Sequence, residues 1–315
     1  MSHRSAVLSL GIAATVALTL AACGSGSSTS AGSSGGGGRL GVVASFYPLE
    51  YLAEQIGGSH VSVTDLTSPG VEPHDLELSP RQIAAVEKAG LVVYLKGLQP
   101  AVDDAVAQFG RGPVVQAADF SPLVDHHLDE DGAAGGEPGG GTTGDPHIWL
   151  DPTRYAAVAK GVGTALAKAD PGHAADYRRN TDGLVDRLAT LDREFRSGLA
   201  PYKGREFVTS HAAFGYLADR YDVTQVAVNG VDPESEPSPA RLSEIQRQAR
   251  AHGVSTVFFE TLTSPKLART LASDLHLKTA VLDPIEGVAH PGEQDYFSIQ
   301  RQNLENLEAS FGAAR

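Results

Sequence analysis

Cysteine is nearly absent from this chain: Cys23 stands alone among 315 residues. No disulfide can close within the molecule, so Cys23 has to be explained by its neighbours. The recurring signatures of hydrolytic and nucleotide chemistry are missing too. There is no His-Glu-x-x-His helix, no Gly-x-Ser-x-Gly elbow after a strand and no Walker loop. Basic charge is in deficit, with 25 Lys and Arg against 38 Asp and Glu, a net charge of -13. That balance argues against nucleic acid as a partner and favours the attraction of cations. No apolar run is long enough for a comfortable membrane span; Ala6–Leu20 is too short and lies too close to the amino terminus.

That run, preceded by Arg4 and ended by Leu20-Ala21-Ala22-Cys23, has the layout of a secretion signal. The segment resembles a bacterial lipobox. The resemblance implies a signal peptide over 1–22 and a lipidated Cys23 as the first mature residue, anchored outside the cytoplasm by its acyl chains at roughly 0.8 kcal/mol per buried methylene. Residues 24–38, all Gly, Ser, Thr or Ala, form a flexible tether.

About 277 residues follow, enough for two modest domains. Short β-branched runs alternate with helical patterns, which predicts an α/β fold with largely parallel strands. Four strands are expected before the middle of the chain (Leu40–Phe46, Val61–Leu66, Leu91–Leu95, Val114–Gln116). Four more follow it (Glu206–Thr209, Thr224–Val228, Ser255–Glu260, Thr279–Leu282). Ser79-Pro80 and Ser264-Pro265 each read as a helix cap followed by proline at the first helical position. Between the two sets, Pro152–Ala169 and then His173–Leu199 read as helices. The second carries Leu184, Leu188, Leu191, Phe195 and Leu199 on one face and would be roughly 40 Å long. Two Rossmann-like lobes, 39–172 and 200–315, joined by a long rigid helix over 173–199 are the economical architecture; one large sheet is the alternative. A glycine-rich, acidic segment from Asp125 to Asp145 carries His126-His127 and is expected to be a mobile loop.

Of eleven histidines, three follow predicted strands or open a predicted helix on rigid turns. His74 sits in Gly-Val-Glu-Pro-His-Asp, His147 in Asp-Pro-His-Ile-Trp-Leu-Asp-Pro beside the sole tryptophan, Trp149, and His211 in Ser-His-Ala-Ala-Phe-Gly. Ligands of open α/β sheets bind beyond the carboxyl ends of strands. A single histidine there is more often a surface or core residue, but three together point to a shared site. Asp283 and Glu286, in Leu-Asp-Pro-Ile-Glu-Gly after the last strand, offer a carboxylate. Three imidazoles and one carboxylate suit tetrahedral Zn2+. Calcium and magnesium want mainly oxygen, and Mn2+ is harder to set aside.

The segments GVEPHDLELSP, GDPHIWLDP, SHAAFGYLADRY, VNGVDPESEPSP, LDPIEG and DYFSIQRQNLENL, in this order and spacing across residues 40–312, resemble the zinc- and manganese-specific solute-binding lipoproteins of bacterial ABC transporters. The resemblance implies two α/β lobes about a rigid helix, with the metal between them. It also implies ligands His74, His147 and His211, with a carboxylate from the last lobe, aligned with Asp283 in some relatives and with Glu286 in others; this chain carries both, and Glu286 is slightly favoured here. A glutamate just before the first histidine serves some relatives, but here that position is Pro73. Relatives that prefer manganese usually carry glutamate at the position of His211, so zinc is implied. The 125–145 segment is similar to the charged loop of many zinc receptors, with Asp125, His126, His127 and Asp129 as a weak auxiliary metal site. The function implied is a monomeric, non-catalytic receptor delivering Zn2+ to a membrane permease. A manganese receptor, a surface adhesin and a secreted zinc hydrolase are the alternatives, in that order.

Overall fold

The computed structural model describes residues 38–126, 144–233, 237–289 and 291–313. The expected signal peptide, Cys23, the tether as far as residue 37, His127 and Asp129 lie outside them. Two four-stranded, all-parallel sheets form the frame. In the first, β1 (Leu40–Ala44), β2 (Val61–Asp65), β3 (Leu91–Tyr94) and β4 (Val114–Gln116) lie in the order β2-β1-β3-β4. In the second, β5 (Glu206–Thr209), β6 (Thr224–Ala227), β7 (Thr256–Phe259) and β8 (Lys278–Val281) repeat it as β6-β5-β7-β8. The single-sheet alternative is thereby set aside. In each sheet the strand order reverses beside the first strand, leaving a crevice at the carboxyl ends where ligands of such sheets sit.

Alternation along the strands sorts the core into layers, since successive side chains point to opposite faces. Val42, Ala44, Leu91 and Val93 belong to one apolar cluster, while Val43 and Val92 face another with Val86 and Val102. Those last two come from α2 (Pro80–Lys88) and α3 (Pro100–Phe109), which cover the outer face. The second sheet does the same: Phe207 and Phe258 point inward, whereas Val208 and Val257 meet α7 (Pro239–Ala251) and α8 (Lys266–Leu275). The inner faces pack on α1 (Tyr47–Gly57), α4 (Pro152–Ala169), α5 (Ala174–Leu199), α6 (Gly215–Tyr221) and α9 (Tyr296–Ala313).

The long helix α5 is where the two sheets meet. Its Leu184, Leu188, Leu191, Phe195 and Leu199 are buried, as the spacing predicts. They belong to one cluster that runs from Val42 in β1 to Phe207 in β5 and Phe311 in α9. Gly163 lets α4 approach α5 closely, because a Cβ there would strike the Thr181 side chain. The described residues accordingly form one compact unit.

Caps follow local chemistry. Ser79 and Gln82 form a complete capping box at α2, with proline at the first turn. At α8 the prediction fails by one residue: Pro265 itself is the cap residue, with no side-chain cap bond. Proline's fixed φ lets it stand at the half-helical position, and Ser264 is left only a long contact of 3.4 Å to the Lys266 amide. Helix α6 is not foreseen in the sequence. Its 7 residues hold too few apolar positions to show a period. Among the described residues no helix is long and apolar enough to cross a membrane.

Candidate metal centre

Four loops converge between the sheets. His74 comes from the connection between β2 and α2, and His147 from a short 3-10 turn, Ile148–Leu150, that leads into α4. His211 follows β5 directly, and Glu286 lies in the turn after β8. One donor atom from each of these four residues lies within 4.8 Å of all the others. Glu286 Oε1 is 2.9 Å from His147 Nε2 and 3.4 Å from the Nε2 atoms of His211 and His74, and the His147 and His211 Nε2 atoms are 3.4 Å apart. His147, His211 and Glu286 are fully buried, and His74 is 10% exposed.

A carboxylate stands behind two of the rings. His147 Nδ1 meets Asp145 Oδ1 at 2.7 Å, and His211 Nδ1 meets Glu260 Oε1 at 2.6 Å. A ring whose Nδ1–H donates to a carboxylate presents Nε2 as a lone pair, the form that a metal requires. Burial disfavours the charged form of both rings. The carboxylates outweigh it, Asp145 and Glu286 for His147 and Glu260 and Glu286 for His211, so both imidazoles hold a proton more tightly than a free one. Burial also opposes ionisation of Glu286, yet hydrogen bonds from His147, His211 and His74 bring its carboxyl well below the usual range.

A third carboxyl borders the group. Glu72 accepts the His74 amide through Oε1 at 3.2 Å. Burial, and then the charge of Glu286, push it up to about 9.

Asp283 stands outside the group. Its Oδ1 accepts the Ile285 amide at 2.7 Å, its Oδ2 accepts the Thr261 hydroxyl at 2.9 Å, and Asn303 bonds both its amide and its carbonyl. These contacts hold Ile285 at φ 57°, a left-handed conformation rarely taken by a β-branched residue. That bend delivers Glu286 to the histidines. Trp149 reinforces the turn: its indole N–H donates to the Pro284 carbonyl at 2.7 Å while its ring packs 5.1 Å from that of His147.

The loop read as mobile from Asp125 to Asp145 is anchored at both described ends. The Asp145 amide bonds the Val124 carbonyl, and the Tyr216 hydroxyl bonds Val124 and Asp145. His126 turns inward, with Nδ1 2.7 Å from Asp145 Oδ2 and Nε2 3.1 Å from Asp219 Oδ2, against Gly215, where a Cβ would strike its ring. Asp145 therefore serves His126 and His147 together. Sequence reasoning missed Asp145 and Glu260 as functional groups. Both carried a signal: Asp145 lies two residues before His147 across a proline, and Glu260 directly follows β7, the strand-exit position already applied to the histidines.

The family model described as "ZnuA: Zinc-uptake complex component A periplasmic" matches residues 42–310. The high-affinity zinc uptake system protein ZnuA of Bacillus subtilis is 34% identical over 302 residues, covering 93% of this chain and 94% of its own. The zinc-binding protein AdcA of Streptococcus pyogenes serotype M3 is 33% identical over 293 residues; the match takes 88% of this chain but 57% of that protein, so this chain spans little more than half of it. The crystal structure of the Zn(II)-bound ZnuA-like domain of Streptococcus pneumoniae AdcA superposes with a TM-score of 0.72 at 29% identity, over 87% of this chain and 99% of that one.

Proposed function

The chain belongs to the ZnuA family of periplasmic zinc-uptake components, and we propose that it is an extracytoplasmic receptor that captures Zn2+ and hands it to the permease of an ABC importer. One observation carries this reading. Donors about 2.05 Å from a tetrahedral ion are about 3.3–3.4 Å apart; three pair separations among His74, His147, His211 and Glu286 are 3.4 Å, and all six lie within 4.8 Å. A fourth, 2.9 Å, is a direct hydrogen bond that an entering cation would open.

Capture exchanges protons for metal. In the metal-free protein a proton on His147 or His211 bridges to Glu286; Zn2+ takes its place and the proton leaves to water. Four protein ligands leave no position for an activated water, so the site binds and does not catalyse. Three nitrogens against one oxygen favour Zn2+ over Mn2+. His74 and His147 belong to the lobe 39–172, and His211 and Glu286 to the lobe 200–315. A small tilt about the 173–199 helix would split the ligands two and two, a means of release for a membrane partner. The lipid anchor at Cys23, the monomeric state and a collecting role for Asp125, His126, His127 and Asp129 belong to the same proposal.

Titration of the metal-free protein with Zn2+ tests it. One tight equivalent is expected, lost in His147→Ala and Glu286→Ala, kept in stoichiometry by Asp283→Ala, and not displaced by excess Mn2+. Unchanged affinity in Glu286→Ala would sink the site, and stoichiometric displacement by Mn2+ would sink the zinc preference.

A further inference from the structure

A cavity of about 540 Å³ adjoins the four-residue cluster, between α1, the exit of β2 and the segment that leads into α9. Its described lining includes six carboxylates and no Lys, Arg or His: Glu50 and Glu54 from α1, Asp65 from the end of β2, Glu286, and Glu293 and Asp295 before α9. Arg187 reaches it from outside, 3.8 Å from Asp295. Tyr51 donates to the same carboxylate at 3.3 Å.

An acidic surface alone would mean little on a chain this acidic. Two features separate this cavity from ordinary surface charge. Glu286, part of its wall, meets the three histidines through Oε1, while its Oε2 is buried without any hydrogen-bond partner. An orphaned buried carboxylate oxygen is costly unless a cation or water comes to it. Further out, Glu50 and Asp65 line the same cavity, and burial raises the carboxyl of each. Burial pushes the Asp65 carboxyl up to about 8, with hydrogen bonds from its own backbone surroundings opposing the rise.

We propose that this cavity is the entry route for the hydrated divalent cation, and that Glu50 and Asp65 form a transient site on the way to Glu286. The inference rests on the reading of the cluster as a Zn2+ site. The cation arrives with its water shell and is held by the two carboxylates, any proton they carry leaving to solvent. It then passes to Glu286 Oε2 and exchanges water for imidazole nitrogen. Like charges lining a low-dielectric cleft raise the local cation concentration and the association rate, by tenfold or more.

Stopped-flow mixing of the metal-free full chain with Zn2+, followed through Trp149 emission with stoichiometry by calorimetry, tests the proposal. The Glu50→Gln/Asp65→Asn double variant should still bind one Zn2+, with an association rate about tenfold lower at low ionic strength and with less dependence on salt. Glu54→Gln, on the exposed rim, should slow association severalfold and covers the case in which the double variant does not fold. Glu87→Gln on α2, outside the cavity, controls for lost charge. Rates equal to that control at every ionic strength would overturn the entry route and leave the cluster's own assignment intact. A wild-type chain that binds no Zn2+ would overturn both.

Discussion

At the centre of the cluster each histidine presents Nε2, and for two of them the reason lies one bond further out. Asp145 and Glu260 fix ring orientation and tautomer for His147 and His211. Glu260 also accepts the Ser210 hydroxyl, so the residue before the ligand is held by the same carboxylate. Removing such a partner typically costs ten- to a hundredfold in metal affinity. Asp145→Asn and Glu260→Gln should each weaken Zn2+ binding by about that much while leaving one site per chain, as competition with a chelator of known affinity will show. Affinity unchanged in both would mean that the rings are oriented by packing alone. Asp145→Asn should also loosen His126, which leans on the same carboxylate.

Among the elements, α5 carries the most structural weight. Its buried face is shared by both lobes, and Leu188 at its middle is fully buried. Leu188→Ala should lower the unfolding free energy by about 2–5 kcal/mol, from lost apolar contact and the cavity left behind. Chemical denaturation followed by far-UV circular dichroism and by Trp149 emission should give coincident transitions, because no boundary in the apolar cluster separates the lobes. Two resolved transitions would show that α5 is a linker between independent domains. The turn after β8 works over a shorter range. Asp283, Asn303 and Trp149 together hold Ile285 in its left-handed conformation, a fixed stop against which Glu286 is placed.

For the molecule as a whole, protons and metal compete for one cluster, and the sign of the pH dependence follows. His147 and His211 have folded-state pKa values raised above the unfolded one. Their contribution to the stability of the metal-free protein is therefore fully present below about pH 6.5 and is lost as pH rises through the raised values. The depressed Glu286 carboxyl acts in the opposite sense, losing its contribution only as pH falls through its low value. Zn2+ affinity runs against the histidine trend, since bound imidazoles must be deprotonated. The rise in thermal midpoint on adding Zn2+ should then grow from pH 6 to pH 8, with stabilisation of about 4 kcal/mol where free Zn2+ exceeds Kd a thousandfold. A zinc-induced shift that is flat with pH would mean that the cluster is already deprotonated in the metal-free protein.

Much of this protein follows from its sequence alone. Period-2 and period-3.6 patterns, with proline and serine at the turns, determined the eight strands, the long helix and the order of the lobes, because these are local consequences of backbone geometry. The three histidines were legible from the same rules: His147 and His211 adjoin regular elements, and His74 lies in the connection between β2 and α2. What needed tertiary structure was every choice between neighbours. Asp283 and Glu286 are three residues apart with the same chemistry, and only the left-handed Ile285 between them sends one to the cluster and the other to the turn. Asp145 and Glu260 lie 115 positions apart in sequence yet do the same work, because burial beside an imidazole, which composition does not encode, gives them their role. The carboxylates of the acidic cavity come from α1, the end of β2, the turn after β8 and the segment before α9, and no linear pattern joins them. Local rules shape the elements, and long-range packing selects which of their polar ends face one another.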